Sequence, residues 1–357
     1  MIHLSTIPVE DKKAKAPSWK ELLSQSRLTT QTLLQLVGLE DHPLASKSAE
    51  SLFELRVPKP YIEKIEHGNP NDPLLLQILP QQAEHKKVDG FSSDPLAEAD
   101  YSPVKGLIHK YKNRVLLIAS STCVINCRYC FRRSFPYSEH RQSKSDWQDA
   151  LDYIRNNQQV SEVILSGGDP LIHSNDYLFW LLKEIDQISH VTRIRIHSRL
   201  IVSLPQRIDD DFLQSLDQLT KPLIIVMHSN HANELGDELD FAVQKLSKKR
   251  VTLLNQSVLL RSVNDKAETL TLLSEALFAI GVLPYYLFIL DKVAGAAHFE
   301  VPIPEATAIH KELQASLPGY LVPKLAIEIP GQKSKTSISH YLDEVISPQV
   351  ESATHPL

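Results

Sequence analysis

Three cysteines, Cys123, Cys127 and Cys130, carry the clearest chemical signal in this chain. They are the only cysteines among its 357 residues and lie within eight consecutive positions. Thiolates at this CxxxCxxC spacing can bind three irons of a [4Fe–4S] cluster, which normally takes four cysteines. The missing fourth ligand leaves one iron open to a non-protein ligand, as in catalytic metal sites that keep a free position. A zinc site and a disulfide are the alternatives.

Six short apolar runs, rich in β-branched residues, alternate with amphipathic segments. They span 115–120, 162–167, 192–198, 223–229, 251–260 and 285–290. Strand-like runs that alternate with helical patterns predict βαβ units and a parallel sheet. Six such units would form an α/β fold of the partial (β/α)6 barrel type. Cys123 follows the first run, so the cysteine loop would lie at the C-terminal ends of the strands, where α/β barrels build their sites.

The rest of the chain is expected to wrap and extend this barrel. Residues 1–16 have the composition of a loose leader, and Ser18 and Glu21 have the spacing of a capping box at the start of a helix. Proline- and aspartate-rich loops follow. Three parts are predicted: an N-terminal helical and loop extension (1–105), the barrel (106–300), and a short C-terminal segment that ends in a frayed tail (301–357).

Composition argues against several classes of function. Lysine plus arginine number 38 against 43 aspartate plus glutamate, so the net charge of −5 gives no general attraction to nucleic acid. No run approaches the roughly 18 apolar residues of a membrane helix. Charges interrupt the N-terminus where a signal peptide would need its apolar stretch. Without a disulfide framework, a reducing cytoplasm fits best.

Polar residues end several of the predicted strands. The second run ends in Ser166-Gly167-Gly168-Asp169, and glycines at such a turn permit positive φ and close approach of the backbone to a ligand. Later runs end in His197-Ser198-Arg199 and in His228 with His231 nearby, and the run 251–260 carries Asn255-Gln256. The histidine pair lacks an evident third ligand, so no zinc site is expected there.

Several longer segments narrow the interpretation. They are NRVLLIAS, FRRSF, LSGGDPL, IRIHSRLIVSLPQRI, NHANEL, LLNQSVLLRSVND and GAAHF. Together with the cysteines they resemble the lysine 2,3-aminomutase family of radical S-adenosylmethionine (SAM) enzymes, over roughly residues 55–337. The resemblance implies a radical SAM barrel, with SAM chelating the open iron. It implies SAM contacts from Ser166, Gly167, Gly168, Asp169, Ser198, Arg199 and Gln256.

The resemblance also implies pyridoxal 5′-phosphate (PLP), bound covalently by a lysine after a glycine-rich segment. Here Pro330-Gly331-Gln332-Lys333-Ser334-Lys335 occupies that stretch, with most of the glycines replaced. Position in the motif favours Lys335. Lys333 shares a face with it in an extended segment, so geometry alone does not exclude Lys333. Arg114 and Lys110 match the two phosphate-binding positions of the family, with lysine replacing arginine at 110.

Three further matches concern the substrate. Arg132 falls at the position that binds the substrate carboxylate, while Asp291 and Glu328 fall at those that bind the ε-ammonium of lysine. The implied reaction converts α-lysine to β-lysine. Aminomutation of arginine or glutamate is an alternative, as is a non-catalytic radical SAM-like scaffold.

The chain has no cysteine after Cys130, and in this it resembles the short group of the family, which supplies β-lysine for the modification of elongation factor P. That resemblance implies a functional link to elongation factor P and its lysyl-ligase. It also implies an electron donor such as a flavodoxin or ferredoxin, and neither a nucleic acid nor a membrane partner.

Overall fold

The computed structural model describes residues 17–40, 42–43, 45–136 and 143–342. The expected leader, residues 1–16, lies outside the described residues, as does the end of the expected tail, residues 343–357. None of the helices within the described ranges is both long and apolar enough to cross a membrane.

One sheet contains the nine strands of the described residues, arranged in chain order. They are β1 (Leu107–Tyr111), β2 (Arg114–Ser120), β3 (Glu162–Gly167), β4 (Arg193–Ser198), β5 (Leu223–His228), β6 (Val251–Val258), β7 (Leu283–Phe288), β8 (Lys324–Ile327) and β9 (Thr336–Ser337). Strands β2 to β8 are parallel, whereas β1 pairs with β2, and β9 with β8, in antiparallel fashion. The sheet is an open, partial barrel, because within the described chain β1 and β9 do not pair with each other.

Helices fill the connections and precede the sheet. They are α1 (Trp19–Ser24), α2 (Thr30–Leu36), α3 (Lys47–Leu52), α4 (Lys59–Ile62), α5 (Pro73–Leu76), α6 (Trp147–Asn156), α7 (Asn175–Asp186), α8 (Leu200–Ser203), α9 (Asp210–Leu216), α10 (Asp237–Ser247), α11 (Ala267–Ala279), α12 (Ile303–Ser316) and α13 (Ile338–His340). The capping box at the start of α1 is present: Ser18 and Glu21 each bind the backbone of the other.

The α/β class and the partial barrel are confirmed, and the six predicted strands correspond to β2 through β7. The sheet is larger than predicted, because β8 adds a seventh parallel strand from the segment assigned to the C-terminal extension. This strand has four residues and directly follows Pro323, so it is too short to show a strand period. The division into three parts stays a prediction.

Two buried apolar clusters connect the sheet to the rest of the chain. Trp19 and Leu33 from the N-terminal helices belong to the same cluster as Leu117 of β2 and Ile196 of β4. A second cluster joins β7 and β8 to α12. Burying a side chain such as Leu33 stabilises the fold by about 1.5–3 kcal/mol. The N-terminal helices therefore share one buried core with the sheet.

Candidate active site

A cavity of about 510 Å³ is lined by residues of β1 to β7 and by the loops at the C-terminal ends of several of these strands. Of the residues with a predicted site role, those that line it are Lys110, Arg114, Cys123, Cys127, Cys130, Arg132, Ser166, Gly167, Gly168, Asp169, Arg199, Gln256, Asp291, Glu328 and Lys335. Ser198 does not line it. Active sites of α/β folds form at this end of the strands because the connecting loops meet there.

The three cysteines lie on the loop between β2 and α6 as free, partly buried thiols. The backbone N–H of Cys130 donates to the carbonyl of Cys127 over 3.0 Å, which tightens the loop. Burial raises the pKa of the Cys123 thiol, with a smaller contribution from Asp169, and burial raises that of Cys130 to about 12. Binding of a metal would favour the thiolate forms of Cys123 and Cys130 against this effect of burial.

The cysteine loop fits an iron–sulfur cluster better than a single ion. Across the described ranges, no three His, Cys, Asp or Glu side chains converge as ligands of one metal ion. A [4Fe–4S] cluster binds each thiolate through a different iron, so its ligands surround a larger body. Three free thiols on one cavity wall satisfy that requirement. Arg199 adds a cation there, since its Nη1 donates to Cys127 Sγ over 3.0 Å.

Gly167 and Gly168 let the end of β3 approach the cysteine loop closely. Gly167 has φ of +107°, and a Cβ there would lie 2.6 Å from the Ser120 carbonyl oxygen. A Cβ on Gly168 would lie 2.3 Å from the carbonyl oxygen of Thr122. Any side chain would thus push the cysteine loop away. The close approach seen is between two backbone segments, and contact with SAM stays a prediction.

Asp169 links the ends of β3 and β4. Its carboxylate accepts hydrogen bonds from the Ser198 hydroxyl at 2.9 Å and from the backbone N–H groups of Arg199 and Leu200, both at 2.8 Å. The N–H of Leu171 donates to it over 3.0 Å. Ser198 is buried and turned toward Asp169, which explains why it does not line the cavity.

Arg199 lies in a buried polar network behind the cysteines. Its Nη2 donates to Gln77 at 2.8 Å and to Glu234 at 3.1 Å. Tyr61 and Tyr129 also accept hydrogen bonds from its guanidinium. Such partners are needed because an unpaired buried charge is strongly destabilising. The network joins the N-terminal extension, through Tyr61 and Gln77, to the cluster loop.

Glu328 organises another part of the cavity. Its carboxylate accepts hydrogen bonds from Lys335, from Lys110 at 3.1 Å and from the Tyr111 hydroxyl at 2.8 Å. Burial alone would raise the pKa of Glu328, but Lys335 and Lys110 hold it at about 2. Lys335 lines the cavity, whereas Lys333 is exposed and does not. The structure thus brings only one of the two candidate lysines to the site.

Asp291, just after β7, lies close enough to Glu328 and Lys335 for their charges to act on it. Burial, and next the charge of Glu328, raise the pKa of Asp291 to about 7. Arg114 packs its guanidinium 4.4 Å from the centre of the Tyr111 ring. A lysine, two further cations and two carboxylates are therefore grouped at one cavity, and these cations suit a phosphate. The residues present fit a bound PLP.

Arg132 is already paired. Its Nε and Nη2 donate to the two carboxylate oxygens of Glu98 over 2.7 and 2.6 Å, and its Nη1 donates to the Ser166 hydroxyl over 3.2 Å. Glu98 lies in the N-terminal extension and also lines the cavity. Sequence reasoning missed it, because nothing in its spacing from Arg132 indicates a contact.

Two histidines form another part of the cavity wall. His197 and His228 lie with ring centroids 5.7 Å apart in a T-shaped arrangement, and the Nε2 of each has no hydrogen-bond partner. Burial lowers the pKa of His228 to about 3 and that of His197 well below its ordinary value. Both are therefore neutral. His231 instead accepts a hydrogen bond from the N–H of Asn233, outside the cavity.

Known proteins are similar in sequence to this chain. A family model described as the Radical SAM superfamily matches residues 117–253. The L-lysine 2,3-aminomutase of Haemophilus influenzae is 48% identical over 331 residues, which cover 92% of this chain and 98% of that protein. The L-lysine 2,3-aminomutase of Escherichia coli is 47% identical over 340 residues, with coverage of 95% and 98%.

Among solved structures, a radical SAM methyltransferase from Sphaerobacter thermophilus matches with a TM-score of 0.43 and 16% identity. The match covers 62% of this chain and 68% of the methyltransferase. The two aminomutases, in contrast, match at nearly half of all positions over almost their full length. The chain belongs to the lysine 2,3-aminomutase family of radical SAM enzymes.

Proposed function

We propose that this protein is a PLP-dependent L-lysine 2,3-aminomutase, an isomerase that converts α-lysine to β-lysine. The observation that carries the proposal is the single cavity lined by the three cysteines, by Lys335 with Glu328, and by Arg132 and Asp291. The two relatives named L-lysine 2,3-aminomutase, at 48% and 47% identity, support it.

Three groups of residues would hold the cofactors. Cys123, Cys127 and Cys130 would bind the [4Fe–4S] cluster, with SAM on its open iron. Lys335 would bind PLP covalently, and Lys110 and Arg114 would neutralise its phosphate. When bound, the cluster and SAM supply a radical that removes hydrogen from carbon, and PLP supplies electron delocalisation for the nitrogen shift.

The protein's own side chains would bind and orient the amino acid. Arg132 would bind the α-carboxylate, and Asp291 with Glu328 would bind the ε-ammonium. Because burial and Glu328 raise the pKa of Asp291 to about 7, the carboxyl group of Asp291 would release its proton as the ammonium arrives. Tyr286, in the cavity wall, would help to exclude water from the reacting carbons.

The charges on the cavity wall favour lysine over glutamate. Asp291 and Glu328 would both repel a side-chain carboxylate, whereas an ammonium would compensate them. Arginine also carries a cation, but its side chain is longer than that of lysine and ends in a bulkier group. Lysine is therefore the substrate that we propose.

We further propose that the β-lysine serves the modification of elongation factor P. The near-complete overlap with two aminomutases of similar length, and the absence of cysteine after Cys130, support membership of the short group of the family. In this role a lysyl-ligase would consume the product, and a flavodoxin or ferredoxin would reduce the cluster. The enzyme would then act in the cytoplasm, where translation takes place.

Anaerobic turnover tests the reaction. Protein reconstituted with iron and sulfide is incubated with SAM, PLP, a reductant and L-lysine, and the products are separated by chiral chromatography. We expect β-lysine from the wild type and none from Cys127→Ala, which should also lose the cluster absorbance. Conversion of arginine or glutamate with lysine left intact would refute the lysine assignment while leaving the aminomutase class.

The elongation factor P link needs a separate measurement. The product is supplied to purified lysyl-ligase and elongation factor P, and the mass of the factor is measured. We expect the product to modify the factor more efficiently than α-lysine does. Equal or poorer use of the product would contradict the pathway and leave the isomerase activity unaffected.

A further inference from the structure

Glu98 occupies the edge of Arg132 that the proposed function assigns to the substrate. The Nε and Nη2 of Arg132 donate to the two carboxylate oxygens of Glu98 over 2.7 and 2.6 Å. The two side chains are only 6% and 11% exposed. This two-pronged geometry is the one in which arginine binds carboxylates. Glu98 thus presents to Arg132 the same chemical group that the α-carboxylate of an amino acid would present.

The other edge of the Arg132 guanidinium, formed by Nη1 and Nη2, cannot take a carboxylate as readily as the edge that Glu98 occupies. Nη1 of Arg132 donates to the Ser166 hydroxyl over 3.2 Å and to the Gly167 carbonyl over 3.4 Å. A second carboxylate bound through Nη1 and Nη2 would lie beside that of Glu98. Two like charges at such short range repel strongly where little water can screen them. The substrate carboxylate and Glu98 therefore compete for Arg132.

The backbone before Glu98 is strained. Ala97 has φ of +49° and ψ of +44°, a left-handed conformation that a residue with a Cβ rarely adopts. Such strain persists where the surrounding contacts over-determine it. The pair with Arg132 fixes one end of the turn Glu98–Tyr101, and the N–H of Gly331 donates to the Tyr101 hydroxyl over 3.0 Å at the other. Release of Glu98 would let Ala97 relax, which offsets part of the cost of separating the pair.

When a ligand replaces Glu98 at Arg132, the net charge around the buried guanidinium stays constant only if the ligand carries a carboxylate. A diamine without that group would leave Arg132 without its buried carboxylate partner if it displaced Glu98, and loss of the opposite charge in a buried pair is strongly unfavourable. The arrangement therefore selects for amino acids over amines of the same length.

We propose that Glu98 is an internal substitute for the substrate α-carboxylate. It holds Arg132 in its binding geometry in the free protein and is displaced when an amino acid binds. The inference rests on the proposed function, because it takes the ligand of Arg132 to be the carboxylate of lysine.

Binding measurements test this competition. The wild type, Glu98→Gln and Asp100→Asn are reconstituted anaerobically with the cluster and PLP, and the Kd values of L-lysine and 1,5-diaminopentane are measured by calorimetry. Asp100 is the matched control, since it is an exposed acidic residue of the same turn and does not line the cavity. We expect Glu98→Gln to lower the Kd of lysine about five- to a hundredfold, a usual range for coupling between competing groups. The Kd of the diamine should not fall in Glu98→Gln, because the charge of Glu98 also acts on Asp291 and its loss cannot strengthen binding of an ammonium. Both values in Asp100→Asn should not change.

A second variant gives an effect of opposite sign. Ala97→Gly removes the strain of the left-handed residue and so favours the state in which Glu98 is bound. The Kd of lysine should rise about fivefold, which corresponds to relief of roughly 1 kcal/mol. This variant keeps every side chain of the site.

Two results would overturn the inference. One is a Kd of lysine that is unchanged or higher in Glu98→Gln, and the other is tightening that the diamine shares, which indicates general loosening of the site. Measuring lysine turnover by the wild type shows whether this inference alone fails or whether the proposed function fails too. If the wild type neither binds nor converts lysine, the proposed function falls, and this inference falls with it.

Discussion

Lys335 contacts one carboxylate oxygen of Glu328, while Lys110 contacts the other from 3.1 Å. The ammonium of Lys335 also lies 4.6 Å from the centre of the Phe288 ring. These contacts hold Lys335 against the cavity wall. Lys333, only two residues earlier, is exposed to solvent. The two lysines therefore differ in where their ammonium groups lie: that of Lys335 is at the cavity wall and that of Lys333 is in solvent.

Covalent attachment of PLP should follow that difference. Borohydride reduction of the PLP-bound protein should label Lys335 and leave Lys333 unmodified in peptide mapping. Lys335→Ala should lose turnover because the covalent link cannot form, while Lys333→Ala should retain it. A label on Lys333 would show that the segment rearranges when PLP binds.

Asp291→Asn should impair lysine turnover selectively. Loss of a carboxylate that pairs with a buried ammonium costs about 3–5 kcal/mol. At 1.36 kcal/mol per tenfold, turnover should fall by roughly two to four orders of magnitude. The absorbance of the cluster and of PLP should not change. Asp210→Asn, at a 91% exposed side chain, is the control and should behave as the wild type. Wild-type turnover in Asp291→Asn would mean that the ammonium binds elsewhere.

Asp291 should also make stability depend on pH. Burial and Glu328 raise its folded-state pKa to about 7, above the ordinary value of 3.8. The folded state therefore binds more protons than the unfolded state between these values, and stability falls as pH rises through this window. Between pH 5 and 8, the free energy of unfolding should fall by roughly 2–3 kcal/mol more in the wild type than in Asp291→Asn. Denaturant titration of the substrate-free proteins measures the difference, and parallel pH curves would contradict the assignment.

Glu84 should be essential for stability. Its fully buried carboxylate pairs with Arg128 and with Arg133, each at 2.6 Å, and so connects the N-terminal extension to the residues around Cys130. Glu84→Ala leaves two buried guanidinium groups without their partner and should cost about 3–5 kcal/mol. Glu63→Ala breaks an exposed pair with Lys59 and should cost about 0.5 kcal/mol or less. Equal urea midpoints for the two variants would refute this account.

Gly168→Ala should disturb the cluster loop. The added Cβ would lie 2.3 Å from the Thr122 carbonyl oxygen, a backbone atom that cannot move without the loop. We expect lower iron content after reconstitution and a lower melting temperature. Gly319→Ala is the matched control, because nothing lies within 4 Å of its Cβ position. Normal iron loading in Gly168→Ala would show that the loop tolerates displacement.

The sequence predicts the part of the fold in which strands and helices alternate in a regular pattern. Six strands could be identified because each is a short apolar run and amphipathic segments lie between most of them; the cysteine loop follows the first. The order of these strands in the sheet then follows from their parallel connections. Strand β8 has four residues and no such context, so packing against β7 determines it rather than its own pattern.

The residues around the candidate site are less predictable than the candidates themselves. Motif positions indicate Arg132, but its pairing with Glu98 joins segments 34 residues apart with no spacing rule between them. Ser198 stands in a matching segment, yet its hydroxyl is turned toward Asp169. A two-residue period could not separate Lys333 from Lys335. Lys333 lies in a bend of the chain, Lys335 directly precedes β9, and of the two only Lys335 lines the cavity.

The cavity is assembled from distant parts of the chain, and this has a consequence for biosynthesis. Ribosomes add about 5–20 residues per second, so the cysteines emerge roughly 10–40 s before Lys335. During that interval β2 to β6 can already form, whereas β8 and β9 do not yet exist. Free thiols are exposed to oxidation throughout this period. Protection of the thiols from oxygen is therefore needed earliest on the nascent chain, before Lys335, which lines the same cavity, has been made.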